Sequence, residues 1–386
     1  MTAPTMKRGH ISTVSDTTNE KLDISEAIDF LSPFDVPLLD MVGRSSLSNP
    51  CTQVKHEWLE DQLTPRSGSI DAAYTAGSGT IVLASGHGKY LYPDDLILLG
   101  NVVYRITSGP PDLDTLTVTV VDGTDASAAS GTTWRKVSHS AQEGGVARND
   151  SKKTVLTRPY NYTQILKDWI VVTGTMEVID RYGYANERAY QEEKVLKQLA
   201  IDLEFTLLYG GQSYDEGPPR KSSLGGLMHY VLIPGITNSW TNIYNAAGAA
   251  FDESTLNDML QDLWEKGANP DFILVNGTNK RRITAWATPR IRTVQGERTA
   301  GASVFTYDSD FGVLDIVLDR WLRPSDVIIG TRGQMGIGPL TGRQFSSRLL
   351  PSTLDGSWYE ILGEYTMEVH RPEIDYSWIY NTSTTY

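Results

Sequence analysis

The sequence predicts an α+β chain that carries a small inserted β-barrel or sandwich, and three observations predict it. A long helical pattern over 185–209 is fed by a strand pattern over 162–172 rather than by a loop. Residues 76–138 are strand and turn throughout. The C-terminal half alternates helical stretches with short apolar runs.

In chain order, residues 1–22 are polar and rich in Thr and Ser, which reads as an extended arm. Ser25 caps a predicted short helix to Leu31, stopped by Ser32-Pro33, and a second turn runs from Val36 to Val42 before Gly43. Cys51–Leu59 alternates as a strand with Thr52, Val54, His56 and Trp58 on one side, and polar residues fall on both faces. That suits a long ribbon better than a core strand. The runs TIVLA, DLILL, VVYRITS, LTVTVV and TTWRKV then follow, parted by Gly-, Pro- and Asp-rich turns, as short barrel or sandwich strands. Residues 139–160 read as the limb that returns from this module.

On the long helix, Ala185, Ala189, Glu192, Leu196, Leu199, Leu203 and Leu207 fall at steps of three or four, a stripe wide enough to bury one face. Arg188–Glu192 and Glu193–Lys197 are opposite charges at i,i+4, and Gly210-Gly211 ends the helix. Downstream, Asp252 caps a helix over 253–266 that stops at Gly267. Strands are expected at 272–275, 313–318, 327–329 and 358–370, with a further helix over 278–286.

Composition narrows the function. With 40% apolar and 21% charged residues the 386-residue chain is an ordinary globular one, long enough for two or three cores. Nineteen Tyr and nine Trp favour assembly interfaces as well as cores. The net charge of −13 argues against a nucleic-acid reader, which needs a basic face. The single cysteine, Cys51, excludes an intrachain disulfide and a thiolate metal cluster. Without an apolar signal core or a run near the ~18 residues of a membrane span, cytosolic synthesis and no membrane partner are expected.

No catalytic or cofactor motif emerges. The six histidines form no metal-spaced pair. Gly211-Gln212-Ser213-Tyr214-Asp215 lacks the last glycine of a nucleophile elbow. Gly86-His87-Gly88-Lys89 and the glycines at 336–342 read as turns rather than phosphate cradles. An enzyme built on Asp94, His87 or Ser213 has no convergent pattern behind it. The basic run Lys280-Arg281-Arg282 with Arg290, Arg292 and Arg298 is the one charge feature that stands out, and in an acidic chain it reads as an interface.

Several stretches, taken in order, carry a resemblance: Ser32-Pro33-Phe34-Asp35-Val36-Pro37-Leu38-Leu39, His56-Glu57-Trp58-Leu59-Glu60-Asp61, Asn161 to Ile165 and on through Val172 to Thr175, Ala189-Tyr190-Gln191 through Leu199, Pro219-Arg220-Lys221 with Gly225-Gly226-Leu227, and Phe272 to Asn276 before Lys280-Arg281. The chain resembles the major capsid (major head) proteins of tailed bacteriophages with the Hong Kong 97-type fold, over most of its length. The β module is the departure, since the plain fold does not require it.

The resemblance implies an N-terminal arm at 1–45 and an extended loop at 46–160 containing the β module at about 76–138. It implies a peripheral domain from 161–215 and 331–386 with the spine helix at 185–209, and an axial domain at 216–330. It implies a non-enzymatic, cofactor-free shell subunit that self-assembles into hexamers and pentamers in the host cytoplasm. Scaffolding, portal and decoration proteins are the implied partners, with packaged DNA only by weak proximity. Subunit contacts are expected at His56, Glu57, Trp58, Glu60, Asp61, Lys152, Lys153, Arg158, Arg188, Glu192, Lys280, Arg281, Arg282, Arg290, Arg292 and Arg298. Some relatives weld subunits through Lys–Asn bonds, but nothing singles out Lys89, Lys136, Lys152 or Lys153, and no crosslink is expected. The alternative function is a tail, baseplate or decoration-type binding module, which would be present in few copies.

Overall fold

The structure is a computed structural model and describes residues 35–43, 47, 49–61, 63–108, 114–141, 143, 156–179, 186–287, 306–351 and 355–385. The predicted helix over 25–31, most of the arm and parts of the return limb lie outside these residues. In order the elements are α1 (Pro37–Val42), β1 (Lys55–Glu57), β2 (Ser67–Ser69), β3 (Thr80–Val82), β4 (Asp95–Leu99), β5 (Val102–Ser108), β6 (Thr115–Asp122) and β7 (Thr133–His139). Then come β8 (Tyr160–Tyr162), β9 (Gln164–Val172), α2 (Gly174–Val178), α3 (Glu187–Tyr209), β10 (Ser213–Asp215), β11 (Lys221–Ser223), α4 (Ile233–Asn238), β12 (Ile243–Asn245) and α5 (Glu253–Lys266). The last are β13 (Phe272–Val275), α6 (Gly277–Ala287), β14 (Thr306–Ser309), β15 (Gly312–Leu318), β16 (Val327–Gly330), β17 (Met335–Pro339), β18 (Ser346–Leu350), β19 (Ser357–Val369), α7 (Pro372–Asp375) and β20 (Tyr376–Tyr380).

The chain divides into two compact units, 59–158 and the remainder. In the first, six antiparallel strands run in the order β2-β7-β4-β5-β6-β3. A bridge between Ile70 and Leu83 joins the two end strands, with the Asp71 amide donating to Val82 O and the Ala84 amide to Ser69 O. The sheet is therefore a closed barrel, which leaves no free edge. Alternation aims Ile81, Ile97, Leu99, Tyr104, Ile106, Leu116 and Trp134 into its core. All five predicted strands form. The unit starts earlier than 76 because β2 is Ser-Gly-Ser, which has no apolar pattern to read.

The second unit is built on two sheets. The mixed one has the order β12-β20-β16-β13-β15-β14, and its central strands Phe-Ile-Leu-Val and Val-Ile-Ile-Gly are buried along their length. Ile273, Val275, Val327 and Ile329 pack with Leu256, Leu260 and Leu263 of α5 and Ile283 of α6. Phe272, Leu274, Ile328 and Trp378 share a core with α3, α1 and the other sheet. The cap and stop of α5 are as expected: Asp252 accepts the Thr255 amide, and Gly267 turns left-handed at φ 95°. One expectation is corrected here. The segment 331–386 does not stay together, because β20 pairs with β16 and β12 inside the mixed sheet.

In the other sheet the thirteen-residue β19 lies between β9 on one side and β18 and β17 on the other. Helix α3 packs on β9 and β19. Asn186 caps it by accepting the Ala189 amide, and both expected ion pairs form, Lys197–Glu193 at 2.6 Å and Arg188–Glu192 at 3.8 Å. The buried face matches the predicted stripe at Leu199, Leu203 and Leu207 and departs from it nearer the start of the helix. Val195, Leu199, Leu203, Glu204, Leu207 and Leu208 are buried, whereas Ala189 and Leu196 are exposed. The inward face follows steps of four, so only the later turns reach the core.

Candidate functional site

Strands β1 and β8 form a two-stranded ribbon in which His56 faces Asn161. Both side chains turn inward. His56 Nε2 lies 2.5 Å from Glu368 Oε1, and Glu368 Oε2 lies 3.1 Å from His370 Nε2. Asn161 donates to Met367 O and Gly225 O and accepts the Gly225 amide. Thr163 donates to Glu364 at 2.6 Å, and Thr366 donates to Tyr162 O. Trp58 is buried against Tyr230 and His370, with ring centroids 6.0 and 5.7 Å apart. These contacts clasp the ribbon onto β19, next to the positions where the chain leaves for and returns from the barrel unit.

Hydrogen bonding with Cys51 and with Glu368 lifts the His56 pKa to about 9, against the burial that lowers it. A thiol, an imidazole and a carboxylate are the parts of a nucleophilic triad. Here they are sealed: Cys51 is 1% exposed, its thiol donates to Gln53 O, and its backbone bridges to Leu340. A thiol without a substrate path is a packing group. Sequence reading placed polar residues on both faces of this strand and missed the clasp, because Glu368 is 312 residues from His56 and Met367 is 206 from Asn161.

The other expected contact residues separate into groups. Glu57 is exposed and paired with Lys55 at 2.5 Å. The Glu60 and Thr157 backbones pair, and Asp61 and Arg158 are exposed. Arg188 is exposed and lies 4.0 Å above the Tyr359 ring, with half-buried Glu192 beside it. Lys280 is half-buried, which lowers its pKa, and Arg281 is exposed. Arg282 is buried and donates to Asn279 Oδ1, Ser383 O and Thr385 O. Lys152, Lys153, Arg290, Arg292 and Arg298 lie outside the described residues. For His56, Trp58 and Arg282 the expectation of subunit contact is corrected, since their surface is already covered within the chain.

The remaining candidates for chemistry also resolve. Ser213 Oγ pairs with Ser223 Oγ at 2.8 Å rather than with a base. The Gly86 and Gly88 amides, the ones able to cradle an anion, both donate to Asp114 at 2.9 Å and hold its carboxyl below the usual range. A cleft of about 310 Å³ beside α1 is lined by Pro37, Asp40, Met41, Val317 and Arg332, and Arg332 is paired with Asp315 at 2.7 Å. Among the described residues no group of three His, Cys, Asp or Glu side chains could hold a metal ion, and no helix is long and apolar enough to cross a membrane.

What the second unit does expose is apolar. Ile165, Trp169 and Val171 alternate along the outer face of β9, and Met176, Val178 and Ile179 follow, each more than two-fifths exposed. Among the described strands β9 pairs only with β19, so its far edge is open. In the barrel unit Leu59, Leu63 and Leu156 are exposed near its chain ends. Such surfaces mark interaction sites.

The comparisons agree with this picture. The chain is similar in fold to the capsid protein of cyanophage A-1(L), at 10% identity over 97% of this chain and all of that one, with a TM-score of 0.54. It is similar to a structure from Microbacterium phage Oxtober96, at 9% identity over 96% and 99% of the two chains with a TM-score of 0.50. The capsid of a native GTA particle matches at 10% identity over the same shares, also with a TM-score of 0.50. Among curated proteins none matches by sequence. A model of the family described as SU10 major capsid protein matches residues 11–375. The chain therefore belongs to the SU10 major capsid protein family, whose members form the icosahedral shell of a phage head.

Proposed function

We propose that copies of this chain assemble through hexamers and pentamers into a shell around double-stranded DNA, and that the subunit makes or breaks no bond. Assembly takes place in the host cytoplasm with scaffolding and portal proteins, and with a decoration protein where the shell carries one. Residues 1–45 act as the arm, and 46–160 as the extended loop into which the 59–158 barrel is set. Residues 161–215 with 331–375 form the peripheral part, and 216–330 with β20 the axial part.

The observation that carries this reading is the open edge and apolar outer face of β9, a liability in a lone subunit and a contact surface in an assembly. Charged contacts come from exposed Glu57, Asp61, Arg158, Arg188 and Arg281 and half-buried Glu60, Glu192 and Lys280, with Lys152, Lys153, Arg290, Arg292 and Arg298. The net charge of −13 suits a wall that holds packaged DNA loosely. Purified protein should sediment as capsomers or shells, and negative-stain images should show rings or closed particles. A persistent monomer in native salt, or a few copies per virion rather than hundreds, would sink the proposal.

A further inference from the structure

Residues 381–385, Asn-Thr-Ser-Thr-Thr, carry no large apolar side chain, so burial of hydrophobic surface does not fix them. Hydrogen bonds do. The Thr382 amide and Oγ1 both donate to Ser325 O, at 2.9 and 3.0 Å, and the Ser383 amide donates to Ala249 O at 2.8 Å. Asn381 O accepts the Gly248 amide. At its far end the segment crosses to α6, where Arg282 Nη1 donates to Ser383 O at 2.8 Å and Nη2 to Thr385 O at 2.5 Å.

Arg282 is 6% exposed, and among the described residues no carboxylate pairs with it. A cation taken out of water needs its lost hydration replaced. Here neutral oxygens replace it: Asn279 Oδ1 at 2.9 Å and the two carbonyls of the segment. The fully buried Asn279 in turn reaches Thr382 Oγ1 at 3.4 Å and Pro324 O at 3.1 Å. The dependence is mutual. Without the segment, Arg282 is a buried charge short of acceptors, and without Arg282 the Ser383 and Thr385 carbonyls lose their donors. Half-open states are costly, which leaves two arrangements: the segment closed over a buried Arg282, or lifted with Arg282 in water.

We propose that residues 381–385 are a strap with Arg282 as its catch, and that the closed strap holds α6 so that Arg281 meets an acidic surface of a second copy of this chain. The partner rests on the assembly reading above, and the strap adds what sets that contact in place. Successive side chains on a helix point about 100° apart. Arg282 turns inward while Arg281 stands exposed beside it, and half-buried Lys280 precedes both. Fixing Arg282 therefore fixes the direction of its neighbours. The chain carries a net charge of −13, so another copy offers carboxylates to a short basic run. Arg282 acts as a positioning residue and makes no contact with the partner itself.

The test uses two variants of the full chain, Arg282→Met and a chain ended after Asn381, and reads amide hydrogen exchange and particle formation. Arg282→Met keeps a long side chain and removes the donors. It should lower protection at Thr382, at Ser383 and along α6 by at least about tenfold, the scale of hydrogen bonds from a charged donor. Protection in β13, β19 and the barrel should stay at the wild-type level. Unchanged protection at 382–383 and in α6 overturns the catch, and so does a loss spread evenly over the mixed sheet, the mark of an ordinary core residue. The shortened chain keeps β20 and lacks the strap. It should lose protection in α6 and form no particles at the wild-type concentration, and particles formed as readily as by wild type overturn the role in assembly. Should Arg282→Met fail to fold, α6 of the shortened chain decides: lost protection supports the strap and wild-type protection overturns it. A wild type that forms no particles sinks the assembly reading instead, and the exchange arm still decides the catch.

Discussion

The two six-stranded sheets of this subunit reach the same strand count by opposite routes. In the barrel, β4 pairs with β5 across the two-residue turn Gly100-Asn101, β5 pairs with β6, the next strand in the chain, and every neighbour is antiparallel. In the mixed sheet, β12 pairs with β20 in parallel so that Ile243 lies opposite Trp378, β16 is antiparallel to both β20 and β13, and β13 is parallel to β15. The barrel closes on itself, and all of its strands and core residues lie within 59–158. The mixed sheet is assembled from distant parts of the chain and is stable only when helices cover both faces. Local pairing has little loop entropy to overcome, whereas the distant pairing of β20 closes long loops and ties the tail into the sheet.

The largest effects should come from the largest buried rings, one in each sheet. Trp134 fills the barrel core, and Trp378 fills the mixed sheet and donates to Asp326 Oδ2 at 3.0 Å. Replacing either with Ala should cost about 3–5 kcal/mol. Exchange read along the full chain should place the Trp134→Ala loss in β4 to β7. The Trp378→Ala loss should spread from β20 to β16, β13 and β12. Loss of protection in β13 from Trp134→Ala would break the contrast between a local and a long-range sheet.

The same difference decided what the sequence disclosed. The barrel strands were legible because alternation and turn residues are local signals, and the Asp252 cap and Gly267 stop of α5 were legible for the same reason. β20 was not, because Tyr376–Tyr380 is fully apolar around one serine, and only its partners 50 and 135 residues away make it a central strand. The later part of the α3 stripe, Leu199, Leu203 and Leu207, was legible, and its earlier part was not, because several apolar sets fit a helical period and tertiary packing buries Val195 rather than Ala189 and Leu196. Glu204 and the His56 clasp were missed entirely. Nothing in a single chain of letters marks one glutamate or one histidine among many as buried, and the partners that bury them come from remote segments.

Close backbone approach gives the next test. A Cβ at Gly330 in β16 would sit 2.5 Å from Cδ1 of the fully buried Tyr376 ring and 3.0 Å from Phe272 Cζ. A Cβ at Gly68 in β2 would meet the His87 ring and, at 2.9 Å, Trp134 Cζ2. Overpacking costs about 1–3 kcal/mol. Gly330→Ala should fall at the upper end, because both rings are locked between layers. Gly68→Ala should fall at the lower end, because half-buried His87 can swing aside. Equal losses in denaturant melts would show that the barrel wall is as rigid as the central strands.

A buried carboxylate in each unit, Asp95 in the barrel and Glu368 in the second unit, is held by basic side chains, and the two differ in what pH can do to them. In the barrel, Asp95 is held by Lys136, by His139 and by the Tyr92 amide. In the second unit, Glu368 is held by His56 and His370. The His56 pKa is raised to about 9, so its contribution is complete below the ordinary value of 6.5 and is lost as pH rises through about 9. Protection of the β1 and β8 amides should therefore drop between pH 7 and 10, while that of β4 and β7 should hold, since a lysine still neutralises Asp95. His56→Gln should cost about 1–3 kcal/mol at pH 7 by leaving Glu368 short of a charged partner, and it should remove the pH dependence of the ribbon.

The smallest expected effect separates a subunit's own stability from its assembly. Arg188 lies on the exposed first turn of α3, 3.8 Å from Glu192 and 4.0 Å above the Tyr359 ring. An exposed i,i+4 pair contributes about 0.2–0.5 kcal/mol, and an exposed cation over the half-buried Tyr359 ring adds about 0.5–1 kcal/mol. Arg188→Ala should therefore lower the melting temperature of the unassembled chain by only a degree or two. Shell contacts multiply: a residue used once per subunit is used in every copy, so a loss too small to see in the monomer becomes a visible shift in the concentration at which particles form. If Arg188→Ala leaves both melting and particle formation unchanged, the open start of α3 is a solvated face, and the contacts must come from the apolar run along β9.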